Sequence, residues 1–72
     1  MKPEQTISLV VNGKPREIST GLSLSEFLAS TGFKPTQVVV ERNGEVVERA
    51  RIEEVRLAAG DRLEVIIPVA GG

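Results

Sequence analysis

The sequence predicts an α+β fold in which a mixed sheet of four to five strands packs on one main helix. Three observations carry this. Asn12-Gly13 and Asn43-Gly44 each stand between strand-like runs and predict two hairpins. A helix with marked ends falls between them. An apolar segment from Arg62 to Pro68 then supplies a last strand that leads into Val69, Ala70, Gly71 and Gly72. The expected order is strand, strand, helix, strand, short strand, final strand, with the first and last strands parallel and adjacent at the centre. No linker, repeat or low-complexity stretch divides the chain, so residues 7–68 form one domain, with 1–6 as an N-terminal extension and 69–72 as a flexible tail.

Each element has its own local cause. Ile7, Leu9 and Val11 alternate with Ser8, Val10 and Asn12, the period of a half-buried strand. Asn and Gly accept the positive φ that a two-residue hairpin turn needs, and Lys14 to Ile18 returns antiparallel, with Pro15 confining it to an edge or first position. Ser23 and Glu26 have capping-box spacing, and Leu22 and Phe27 occupy the staple positions around it. Leu24, Phe27, Leu28 and Thr31 share one helical face, Gly32 provides a left-handed stop, and Phe33 folds back toward Leu28. Phe27 and Phe33 are read as core rather than as a ligand box. Val38 to Val40 and Glu45 to Val47 form the second hairpin. A short helix or irregular turn is expected within Arg49 to Arg56, and Ala58 to Asp61 turns into the last strand. There Leu63, Val65 and Ile67 point one way and Glu64, Ile66 and Pro68 the other.

Composition narrows the function. The chain has 72 residues, 40% hydrophobic but only 3% aromatic, so its core is aliphatic apart from Phe27 and Phe33. With no Cys and no His, it has no thiolate nucleophile, imidazole base or soft metal site, and no pair of carboxylates or hydroxyls is set in a cleft pattern. No catalytic residue and no metal ligand is assigned, and the chain is not expected to be an enzyme or to bind a cofactor itself. A net charge of −1, with ten acidic and nine basic residues, offers no basic footprint for nucleic acid. No apolar run approaches the roughly 20 residues that span a bilayer, and no signal-type segment follows Met1, so a cytoplasmic location is expected.

The Gly71-Gly72 pair is the strongest functional signal. Two glycines would close a chain by chance about once in two hundred sequences. Without side chains they can run extended down a channel too narrow for other residues, which would let an enzyme reach the Gly72 carboxylate. A recognition surface is expected beside such a tail. With Leu63, Val65 and Ile67 turned to the helix, Val10, Val39 and Ile66 fall on the open side of the sheet, and with Pro68 they form an expected aliphatic partner-binding patch. The competing readings are a face covered by long polar side chains and a reversed register that turns these residues inward. Ile66→Asp is expected to weaken partner binding while the domain stays folded.

Several segments together resemble a known family. These are Val11-Asn12-Gly13 after the first strand, Leu22 to Leu28 at the helix, Val38 to Val47 in the second hairpin, Leu57 to Leu63 before the last strand, and the Gly-Gly end. In this order and spacing they resemble the ThiS sulfur carriers of thiamin biosynthesis, which have the ubiquitin-like β-grasp fold. The resemblance implies that a ubiquitin-activating-type adenylating enzyme joins the Gly72 carboxylate to AMP from ATP. A persulfide sulfur from a cysteine desulfurase or related donor then displaces AMP and leaves a thiocarboxylate, which is delivered to thiazole synthase. Gly72 would carry AMP and then sulfur covalently, with Gly71 and Ala70 as the tail. ATP would be used by the partner. A sulfur carrier for molybdopterin or cysteine synthesis, a modifier that forms isopeptide bonds, and a plain ubiquitin-like interaction module are the alternatives.

Overall fold

The computed structural model describes residues 5–68. Ala70, Gly71 and Gly72 lie outside the described residues, as do Met1 to Glu4 and Val69. The first hairpin pairs β1 (Thr6–Val11) with β2 (Lys14–Ser19) in antiparallel register, Val11 opposite Lys14 and Thr6 opposite Ser19. Asn12 and Gly13 have φ of 52° and 80°, the left-handed pair that matches the twist of the two strands. Pro15 has no N–H to donate and is accommodated because β2 is an edge strand.

The helix α1 (Leu24–Ser30) starts and stops where its sequence directs. Ser23 Oγ accepts from the Glu26 N–H at 3.0 Å, and the Glu26 carboxylate accepts from the Ser23 N–H at 2.9 Å. At the other end the Phe33 N–H donates to the Leu28 carbonyl and the Gly32 N–H to the Ala29 carbonyl. Gly32 stands at φ 91° to allow this. Leu24, Phe27 and Leu28 are buried, and Thr31 is half-buried at the rim.

A 3-10 turn (Pro35–Gln37) leads into the second hairpin, β3 (Val39–Arg42) and β4 (Glu45–Val46), with Asn43 and Gly44 again at positive φ. A second 3-10 turn (Arg49–Arg51) is the only helical element of the described residues between Arg49 and Arg56. It places Ile52 in the core at 2% exposure. The last strand β5 (Arg62–Ile66) lies between β1 and β3, giving the order β2-β1-β5-β3-β4. It runs parallel to β1 and antiparallel to β3. This five-stranded mixed sheet on one helix is the ubiquitin-like β-grasp arrangement.

The core lies between the sheet and α1, where Leu9, Val40 and Leu63 meet Leu24, Phe27 and Leu28. Phe27 is therefore a core residue, and the Arg16 guanidinium lies 5.4 Å from its ring centre. Phe33 is half-buried against the same cluster. One expectation changes. The ladder with β3 ends at Val39 opposite Ile66, so β5 stops there, and Ile67 is 58% exposed instead of turned to the helix. Pro68, which follows, cannot donate to a continuing ladder.

Candidate functional site

β5 delivers the chain toward the Gly-Gly segment, and both hairpin turns grip it. On the β1 side, regular pairing covers only Arg62 and Leu63. Asn12 then extends the ladder by itself. Its N–H donates to the Leu63 carbonyl at 2.8 Å, its Oδ1 accepts from the Val65 N–H at 2.7 Å, and its Nδ2 donates to the Val65 carbonyl at 3.3 Å. The side-chain amide thus stands in for the next residue of a strand. On the β3 side Asn43 performs a related task, its N–H donating to the Arg62 carbonyl and its Oδ1 accepting from the Arg62 N–H at 2.9 Å.

The base of β5 is fixed by Asp61, which is only 5% exposed. Its carboxylate accepts from Arg42 Nε at 3.0 Å, Asn43 Nδ2 at 3.1 Å and the Ala58 N–H at 2.9 Å. Burial pushes the Asp61 pKa up, but the Ala58, Asn43 and Arg42 donors outweigh it and hold the carboxyl below its ordinary value. Sequence reasoning placed Asp61 only in a turn. Its bond from the Ala58 N–H is local to that turn, but the bonds from Asn43 and Arg42 come from 18 and 19 residues away and have no local signature.

The open face of the sheet follows from the register. Val40 and Leu63 are buried toward the helix, so Val39 and Glu41 on β3, with Glu64 and Ile66 on β5, point the other way. Val39 and Ile66 stand directly opposite each other, 37% and 44% exposed. In the adjoining row Glu64 faces Glu41, and Glu41 faces Val46, which is 62% exposed. Val10 shares this face but is half-buried opposite Arg62, about 13 Å along β5 from Ile66 at strand rise. The structure therefore pairs Val39 with Ile66, puts Val46 one row away across from Glu41, and sets Val10 apart behind Glu64. Pro68 is exposed just past the end of β5. The sequence reading omitted Val46, although the register of an Asn43-Gly44 hairpin puts it across from Glu41.

Among the described residues no group of His, Cys, Asp and Glu is arranged to hold a metal ion. No helix among them is long and apolar enough to cross a membrane. A cleft of about 280 Å³ beside α1 is lined by Val11, Lys14, Arg16, Phe27, Thr31 and Phe33 among others, with no carboxylate in its lining.

Comparison with known proteins bears on this geometry. The model of the ThiS family matches residues 9–72. A thiazole synthase of Paramagnetospirillum magneticum is 33% identical over 66 residues, covering 92% of this chain and 20% of that protein. A thiazole synthase of Magnetococcus marinus is 39% identical over 62 residues, covering 86% and 19%. The chain spans about a fifth of the length of these curated relatives. The crystal structure of the thiamine biosynthesis protein ThiS from Geobacter metallireducens superposes with a TM-score of 0.79 at 33% identity, over 92% of this chain and 100% of that one. A solution structure of a thiamine biosynthesis protein from the same organism gives 0.76 at 33% identity, over 92% and 88%.

Proposed function

The chain belongs to the ThiS family, and on that premise we propose that it is a sulfur carrier of thiamin biosynthesis whose reactive group is the α-carboxylate of Gly72. The observation that supports this most is the family match extending through the Gly-Gly segment to residue 72. A carboxylate is a poor electrophile, so a ubiquitin-activating-type enzyme first transfers AMP from ATP to it, releasing pyrophosphate. The terminal sulfur of a donor persulfide then attacks the acyl carbon and expels AMP. A second donor thiol cleaves the resulting S–S bond, leaving the thiocarboxylate on Gly72 and a disulfide on the donor. The persulfide comes from a cysteine desulfurase or a related protein, and thiazole synthase accepts the sulfur. The chain is then a consumed and regenerated cosubstrate rather than a catalyst.

In this scheme the domain supplies recognition. Val39 and Ile66 with Val46 form the docking patch next to the exit of β5, and Pro68 begins the segment that enters the partner. Val10 contributes at the far end of the same face. Two thiazole synthases that contain a segment similar to this chain favour thiazole synthase as the acceptor over a molybdopterin or cysteine pathway. Deleting Gly72 tests the proposal. The shortened chain should fold normally and fail to support thiazole formation with purified partners. Undiminished thiazole formation by the shortened chain would contradict a role for the Gly72 carboxylate.

A further inference from the structure

Glu41 and Glu64 stand directly opposite each other on β3 and β5, both turned to the open face. Like charges at that position oppose strand pairing. Neither carboxylate forms an ion pair within 4 Å among the described residues, whose ion pairs are Arg42 with Asp61 and Arg51 with Glu54. The cation sharing their face on β5 is Arg62, in the next row and opposite Val10. The carboxylates are framed by apolar side chains, with Val46 beside Glu41 and the Val39–Ile66 pair in the row above. Three exposed aliphatic residues thus surround two unneutralised charges.

We propose that this face docks a protein surface that presents an arginine among apolar side chains, its guanidinium bridging Glu41 and Glu64 while Val39, Val46 and Ile66 bury the surrounding contact. Directly opposed residues have Cβ atoms about 5 Å apart, a spacing that the two donor edges of one guanidinium can span. The charge pair is uncomfortable in the free domain and is relieved on docking, which ties recognition to electrostatics as well as to apolar burial. This inference rests on the carrier reading, because it names the chemistry of the partner surface that grips the domain while the tail reacts.

The test uses the full chain, labelled for fluorescence anisotropy, with the adenylating enzyme from the same organism as the probe, and compares it with Glu41→Gln/Glu64→Gln. Removing both charges should weaken binding about tenfold or more, as expected for desolvated charge pairs. It should also flatten the salt dependence of binding seen with the unaltered chain. In the adenylation assay KM should rise with little change in kcat. Equal affinity and an equal salt slope for both proteins would overturn the inference and leave the two carboxylates as solvated surface charge. So would failure of the unaltered chain to bind, or self-association that the substitutions abolish. Charge-dependent binding without adenylation would retain the docking surface and remove the carrier reading. Adenylation insensitive to both substitutions would do the reverse.

Discussion

Asp61 is where the second hairpin, the Ala58 turn and the start of β5 converge. Replacing it with Ala leaves the Ala58 N–H, Asn43 Nδ2 and Arg42 Nε without their acceptor. A cost of about 2–3 kcal/mol is expected from unpaired groups at so buried a site, read from urea unfolding. The pH dependence follows from the sign of its shift. Its folded pKa lies below the ordinary 3.8, so its contribution is complete above that value and disappears as pH falls through the lower folded pKa. Glu26, whose pKa is lowered chiefly by the Ser23 backbone N–H and then by the Ser23 hydroxyl, acts in the same direction. Stability should therefore fall on acidification below about pH 4, and Asp61→Asn should make that acid limb shallower. Asn12 permits a cleaner dissection, because Asn12→Gly keeps the positive φ of the turn and deletes only the amide that pairs with Val65. The loss should be about 1 kcal/mol, with hydrogen exchange at the Val65 N–H accelerated more than that of the core-strand Leu9 N–H, which follows global stability.

At the scale of elements, what is written locally is readable and what is written across the chain is not. The Asn-Gly turns and the Ser23–Glu26 box each involve residues within a few positions of one another, so their geometry follows from type and spacing. The Gly32 stop is equally local: Gly32→Ala puts a Cβ at φ 91° and should cost about 1 kcal/mol. For a domain of this size that is a fall of about 4–8 °C in melting temperature. Ser23→Ala should cost a similar amount through lost capping. The 3-10 turn at Pro35–Gln37 was not legible, nor was the bridge joining Ser23 to Arg56, because each depends on where α1 must hand the chain back to the sheet. Ile67 shows the same limit. Its alternation with Leu63 and Val65 reads as inward, but the length of β3 ends the ladder one residue earlier. Val39 and Ile66 could be placed on the open face from periodicity, whereas the insertion of Glu64 and Glu41 between them and Val10 emerges only from the register between strands.

For the molecule as a whole, one aliphatic core around Phe27 holds a sheet whose central strand leads directly to the segment proposed to react. A domain this small has little stability in reserve, so Phe27→Ala, at a cost of about 3–5 kcal/mol, should unfold much of the population at physiological temperature. Ile66→Asp should instead leave the melting temperature within a few degrees of the unaltered chain and reduce activation by the proposed adenylating partner, separating the proposed docking face from the core. The decisive measurement is mass spectrometry of the purified full chain after incubation with ATP, the adenylating enzyme and a persulfide donor. A sulfur carrier will gain the mass difference of one oxygen exchanged for sulfur, and fragmentation will place it on Gly72. An unchanged mass under conditions that activate a known carrier of the family, or sulfur located at any other residue, would contradict the proposed function.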